Sequence, residues 1–289
     1  MAEARPNVHR RRLGSALRSL RIAAGLSMED AAQRLGLSGK SALSKIENGK
    51  QRVSGLGLTA FLQIYGVEPE ETRTKIKAMA TLASSGKRTN LIDEYQEAIQ
   101  THGFEEYLHL EGMAAKAESY LHIVPGLLQT EDYASSIVQR SQVWSSKHQV
   151  DRFVQLRMAR QSALQRDAPL GVSCVLDEAA LRRVVGSRAV MKAQLQHLVE
   201  TAERHDHVVV QVLPFDRGAH PGIDGPFQLL HFPAGPPIAL VEARTTSLYL
   251  EEDEDVDRYT STLDALRDQA LDVQATRHFL LGLIKDCSP

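Results

Sequence analysis

Apolar residues recur at helical spacing through Leu13, Leu17, Leu20 and Ala24, and Gly25 closes that pattern. Ser27, with Asp30 three residues on, forms a near capping box for a second helix that runs to Leu35 and halts at Gly36. Ser38 is the expected cap of a third helix, which Gly49 ends. Residues 56–65 and 68–82 carry the pattern of a fourth and a fifth. SSGKRTN (84–90) is polar and has no apolar period, the texture of a linker. The expected organisation is a five-helix N-terminal domain over residues 1–83, a linker over 84–92 and a larger body over 93–289. Residues 1–10 read as a loose basic arm.

Beyond the linker the pattern mixes periods. Residues 94–117 read as helical, Pro125-Gly126 interrupts VPGLLQTEDYASSIV, and helices are expected at 131–140 and 152–165. LGVSCVL (170–176) has the β-branched content of a strand, Asp177 caps EAALRRVVG, and Ser187 caps a long helix reaching Arg204. HVVVQVLP, FQLLHF, PIALVEA and TSLYLE read as four more strands, followed by helices over 255–271 and 272–285. The fold class is therefore an all-α N-terminal domain joined to an α+β domain with a central sheet flanked by helices.

With 43% hydrophobic and 24% charged residues, the 289-residue chain has an ordinary globular composition. No run approaches the ~18 apolar residues of a membrane span, and the basic start lacks the apolar core of a signal peptide. Cys174 and Cys287 lie far apart without metal-ligand spacing, so neither a disulfide framework nor a zinc site is expected and the compartment reads as the reducing cytoplasm. Charge changes the picture more. Residues 1–90 hold 16 Lys/Arg against 7 Asp/Glu, and the rest hold 18 against 29. A basic part on an acidic body points to a polyanion-binding module carried by a second domain.

The third helix shows how such a module would read its partner. On a helical wheel Leu43, Ile46 and Ala42 share one face, while Ser41, Ser44, Lys45 and Asn48 share the other, with Lys40 at the start. Short hydroxyls and long ammoniums on a helix that fits a ~12 Å major groove can reach base edges, while the apolar side packs on the two preceding helices. Lys50 and Arg52, just past the helix, are placed for phosphates. Arg10-Arg11-Arg12 reads either as a further phosphate or minor-groove contact or as a solvated helix start. Glu47 on a DNA-reading helix would repel phosphate and calls for a cation.

These segments, LRSLRIAAGLS, AAQRLGLS and LSKIENGK, resemble the Xre/Cro-type helix-turn-helix family over about 65 residues. The resemblance implies base contacts from Lys40, Ser41 and Lys45 with Ser44 close by, phosphate contacts from Lys50 and Arg52, and a structural clamp between Glu47 and Arg21. Met28 stands where the family commonly has Gln, Ala31-Ala32 stand for Leu-Ala, and one extra residue falls around Ser38-Gly39-Lys40. That insertion leaves open which of Lys40 and Ser41 lies deepest in the groove. EGMAAKAESYLHIVPGLLQTEDYA, LDEAALRRVVG, QLQHLVETA, VQVLPF and SLYLEEDEDVDRY resemble the C-terminal domain of actinobacterial regulators of the WhiJ type, described as antitoxin-like. The resemblance implies small partner proteins encoded nearby and no defined ligand.

Enzymatic readings lack a constellation. HDH (205–207), with His197 and His220, is the densest histidine cluster, but there is no HExxH and no paired Cys, so no metal is assigned. DEDVD (253–257) alternates acids as a calcium loop does, yet Arg258 stands where Gly is needed, and acids at a helix N-terminus account for it better. Cys174 sits in an apolar strand, and Ser135, Ser136 and Ser187 fit no nucleophile elbow. LPFDRGAHPGIDGPF (213–227), with Asp216, Arg217, His220 and Asp224, is either a ligand- or partner-binding loop or a tolerated insertion, and VPGLLQT is its companion. The expected function is a cytoplasmic, nucleoid-associated regulator that binds double-stranded DNA, is not an enzyme and uses no cofactor. Its C-terminal domain is expected to dimerise and to receive a signal from a small partner protein or an effector not yet known. The alternative is an antitoxin-like protein-binding factor whose DNA binding serves autoregulation.

Overall fold

The computed structural model describes residues 8–84, 90–99, 104–141, 146–233, 236–243 and 246–287. The chain divides into two compact units at Lys87/Arg88. Most of the expected linker, residues 85–89, and most of the expected arm, residues 1–7, lie outside the described residues.

The N-terminal unit holds α1 (Val8–Ala23), α2 (Met28–Arg34), α3 (Lys40–Glu47), α4 (Gly55–Ile64) and α5 (Glu70–Ser84). Leu13 and Leu17 of α1, Ala31 and Ala32 of α2, Leu43 and Ile46 of α3, and Leu58, Phe61 and Leu62 of α4 form one core. The small Ala31-Ala32 pair is fully buried, which lets the neighbouring helices approach closely. Ser27 Oγ accepts from the Asp30 amide and Ser54 Oγ from the Gly57 amide, satisfying N-terminal donors that would otherwise lack partners. One cap differs from expectation. Gly39, not Ser38, precedes α3, and it makes no side-chain cap. Its φ of +125° is open to glycine.

The second unit is built on a six-stranded sheet of β1 (Lys116–Leu121), β2 (Gly171–Asp177), β3 (Val208–Leu213), β4 (Phe227–His231), β5 (Ile238–Glu242) and β6 (Ser247–Leu250). The spatial order is β3-β2-β1-β4-β5-β6. β1, β2 and β3 run parallel, and β4, β5 and β6 add antiparallel. Parallel neighbours need crossovers. The first passes through α8 (Glu131–Arg140) and α9 (Lys147–Arg160), the second through α10 (Glu178–Arg182) and α11 (Arg188–Arg204). Ahead of the sheet come α6 (Asn90–Glu94) and α7 (Phe104–Met113), and after it α12 (Asp253–Gln269) and α13 (Val273–Asp286). Val256, Leu263 and Leu266 of α12 pack on Tyr120, Leu229 and Ala239 of the sheet.

β1 corrects the expected helix over 94–117, whose span is divided among α6, a 3-10 turn at Gln96–Ala98, α7 and this strand. The expected helix over 152–165 begins earlier, at Lys147, and its last turn is 3-10 (Gln161–Leu164). KAESYL conceals a central strand because Glu118 occupies a buried position. Its carboxylate meets Lys116 Nζ, Arg267 Nη2 of α12 at 2.5 Å and His231 Nε2 of β4 at 2.6 Å. Burial alone would raise the Glu118 carboxyl, but the contacts with His231, Lys116 and Arg267 hold it well below the usual carboxylate range.

A carboxyl depressed on folding contributes stability above its unfolded pKa of about 4.3 and loses that contribution as pH falls. Glu118→Gln is therefore expected to be less stable than wild type at neutral pH, yet to lose less stability between about pH 5 and pH 2. Urea unfolding followed by far-ultraviolet circular dichroism over that range checks this, and equal acid slopes would refute the assignment.

Candidate nucleic-acid interface

α3 is held at both ends by backbone geometry. At the end of α2, Gly36 N–H donates to Gln33 O and Leu37 N–H to Ala32 O, a Schellman closure that turns the chain toward α3. At the far end Gly49 N–H donates to Ile46 O and Lys50 N–H to Lys45 O, closing α3 in the same way with Gly49 at φ +69°. Leu43 and Ile46 anchor the helix in the core. Two glycines set its distance from α1. A Cβ on Gly14 would lie 2.6 Å from Ile46 O, and one on Gly49 would lie 2.6 Å from Arg11 N. Neither contact tolerates a side chain, so the backbones of α1 and α3 touch at both sites.

The opposite side of α3 is open. Lys40, Ser41, Lys45 and Asn48 are exposed and Ser44 is half-buried. Asn48 Nδ2 donates to Ser44 O at 2.8 Å and to Ser44 Oγ at 3.1 Å, so these two polar groups are pre-ordered on the helix surface. Lys50 and Arg52 follow as exposed residues. The six candidate DNA contacts thus lie on one helix and the turn after it. The basic run is split. Arg12 is buried in α1, while Arg10 and Arg11 are partly exposed.

Arg21 and Glu47 form a buried bidentate pair. Arg21 Nε donates to Glu47 Oε1 at 2.7 Å and Nη2 to Oε2 at 3.1 Å, while Nη1 donates to Leu26 O at 2.9 Å. The hydrogen bond to Glu47 outweighs burial and raises the Arg21 pKa. The Tyr65 hydroxyl is raised as well, first by burial and then by Glu47. A carboxylate on α3 is in this way faced inward and neutralised, away from the exposed polar face of the helix.

In the second unit the loop candidates do not converge. Asp216 and Arg217 are exposed and 4.0 Å apart in a 3-10 turn after β3. His220 is half-buried, its Nε2 4.0 Å from Asp177 Oδ2 and its ring edge-on to Tyr120. Asp224 is exposed beside Pro221, Phe227 and Tyr259. His207 Nε2 lies 3.1 Å from Leu164 O, and among the described residues no three His, Cys, Asp or Glu side chains are arranged to hold a metal ion. Cys174 is buried in β2, where burial pushes its thiol up to about 12. Among the described residues no helix is long and apolar enough to cross a membrane.

A second buried polar cluster of this unit was not among the sequence expectations. Arg160 of α9 forms a buried bidentate pair with Glu111 of α7 at 2.9 and 2.7 Å, and the Tyr107 hydroxyl donates to the same carboxylate at 2.7 Å. Arg157, one turn earlier, lines a cavity beside it. The signal was RFVQLRMAR, where Arg157 and Arg160 continue the buried row of Phe153 and Leu156 at helical spacing.

The fold and its surface define a protein with an N-terminal helix-turn-helix domain, and a family model of that description matches residues 12–74. A second model, a domain of unknown function (DUF5753), matches residues 104–282, more than half of the chain, and the protein belongs to that family. No curated protein and no solved structure matches it.

Removing Arg21 would leave the Glu47 carboxylate buried without its cation, a loss on the order of 3–5 kcal/mol. Arg21→Ala is expected to lower hydrogen-exchange protection of the Leu17 and Leu43 amides in the full chain, and Glu47→Gln in the same chain to recover part of it. Protection unchanged in Arg21→Ala would mean that the pair does not hold α3.

Proposed function

We propose that this protein is a sequence-specific DNA-binding transcriptional regulator of the Xre/Cro type. α3 enters the major groove, Lys40, Ser41, Ser44 and Lys45 meet base edges, and Lys50 and Arg52 meet phosphates. The observation that carries this reading is α3 itself: apolar residues buried on one side, its only carboxylate neutralised by Arg21, and Lys40, Ser41 and Lys45 exposed. The basic balance of residues 1–90 supports it. The C-terminal α+β unit dimerises and receives a signal from a small partner protein, which the resemblance to WhiJ-type regulators implies, or from a ligand, which it leaves undefined. The functional boundary falls within residues 84–92, and the division at Lys87/Arg88 is consistent with that. The protein acts in the cytoplasm on the nucleoid and carries no catalytic role.

Operator fragments selected from genomic DNA provide the assay. Lys45→Ala is expected to weaken specific binding by ~1–3 kcal/mol and to relax preference at one base position. Lys50→Ala is expected to weaken binding to every sequence and to lower the salt slope by about one. Fluorescence anisotropy over a salt series separates the two. Equal losses on specific and random DNA for both variants would remove Lys45 from base reading.

A single helix-turn-helix reads too few base pairs to select one genomic site, so two copies are expected on half-sites about 34–36 Å apart, or a multiple of that. The basic N-terminal unit repels its like, which places the dimer contact within residues 93–289. Sedimentation is expected to show a dimer for the full chain, and footprinting an inverted repeat. A fragment of residues 1–88 is expected to be monomeric and to bind far more weakly. A monomeric full chain protecting one unsymmetrical half-site would overturn this model.

A further inference from the structure

On the sheet face opposite α12, a cavity of about 310 Å³ opens between α7, the turn after β1, α9 and strands β1, β4 and β5. Its volume is at the lower end of the ~300–1,000 Å³ typical of ligand pockets. Phe104, Leu121, Val124 and Leu240 supply an apolar wall. Two guanidiniums line the same cavity, and they differ in kind. Arg160 is neutralised by Glu111. Arg157 has no such partner among the described residues: its Nη1 donates to the neutral Gln129 Oε1 at 2.9 Å, and its buried Nε has no acceptor.

The surroundings hold that cation in place with no carboxylate in direct contact, the charges of Glu242 and Glu111 acting on it only from a distance. Its guanidinium lies over the Phe153 ring at 5.3 Å. A Cβ on Gly126 would come within 3.2 Å of Nη1, so the bare backbone of the turn makes room for the guanidinium. Gln129 is itself fixed, its Nε2 donating to Val124 O at 2.7 Å and its backbone carbonyl accepting from Gln161 Nε2 at 2.6 Å. Gln194 of α11 pins the same turn, donating to Leu128 O and accepting from the Thr130 amide. Burial first, and then the charge of Arg160, drive the Arg157 pKa down to about 10. A fixed, half-buried cation short of an acceptor beside an apolar wall is the arrangement an organic anion completes. Glu242 also lines the cavity, exposed on β5, and its charge disfavours multiply charged anions.

We propose that this cavity binds a small organic monocarboxylate with an apolar body, its carboxylate on Arg157 and its hydrocarbon part against Phe104, Leu121 and Leu240. The inference deepens the reading of the C-terminal unit as the part that receives a signal, and rests on that reading only for what the binding regulates.

Calorimetric titration of the full chain without DNA tests it, using phenylacetate and octanoate, their neutral amides, and inorganic phosphate. Saturable binding of a carboxylate, with neither amide nor phosphate binding comparably, is the expected result. Arg157→Gln is expected to weaken binding by about tenfold or more. Arg157→Lys should retain part of the affinity, and Glu242→Gln should bind more tightly than wild type. That gain cannot come from misfolding, so the set remains decisive even if Arg157→Gln does not fold. Amides binding as well as acids, phosphate binding better, a folded Arg157→Gln with wild-type affinity, or no binding of either carboxylate at millimolar concentration would overturn the proposal. None of these outcomes involves DNA, so they leave the assignment of α3 untouched, and failure of the Lys45 test leaves the cavity untouched.

Discussion

A carboxylate taken out of water must be met by cations or hydrogen-bond donors, and both units of this protein are organised by that constraint. Glu47 is answered by Arg21, Glu111 by Arg160 with Tyr107, and Glu118 by Lys116, Arg267 and His231. The arginine partners stand 26, 49 and 149 positions away along the chain. A buried pair adds little over an apolar substitute, whereas breaking one by removing a partner is strongly unfavourable. Such pairs therefore select geometry more than they add stability: α3 against α1, α9 against α7, and α12 against the centre of the sheet. Each is hydrogen-bonded at more than one atom, which fixes orientation as well as proximity.

The N-terminal unit was legible because its signals are local. Leu13 and Leu17, the caps at Ser27 and the glycine stops at Gly36 and Gly49 act within a few residues of where they stand. The pairing of Arg21 with Glu47 was accessible only through resemblance, since no spacing rule connects residues so distant. The central strand β1 was hidden for the opposite reason. Its polarity looks unsuited to a core until Arg267 and His231, supplied by distant elements, are in place. Ser38 failed as a cap because Gly39, at a positive φ, takes the N-cap position, a backbone choice that side-chain preference does not reveal. The cavity beside Arg157 was legible in part: VPGLLQT, one of the candidate loops, lines it through Val124, Pro125, Gly126 and Leu127, whereas its cation sits on a helix amid apolar neighbours and carries no loop signal.

The two units also divide the electrostatics. The first carries its excess of cations outward, as on Lys40, Lys45, Lys50 and Arg52, and turns its one α3 carboxylate inward. The second carries the acidic excess of the chain, yet encloses arginines on α9. An acidic exterior discourages contact with a polyanion, and an enclosed cation favours a small anion that can shed its water. Surface charge and interior charge thus suit anions of different size.

Cys174 gives the second unit a built-in reporter. The thiol lies in β2 between β1 and β3, buried and strongly disfavoured as thiolate, and the thiolate is the form that reacts. Alkylation at this position must wait until the parallel strands separate, whereas Cys287, partly exposed at the end of α13, needs no such opening. The ratio of their labelling rates is therefore a clock for separation of the sheet, timed by the protein's own two sulfurs.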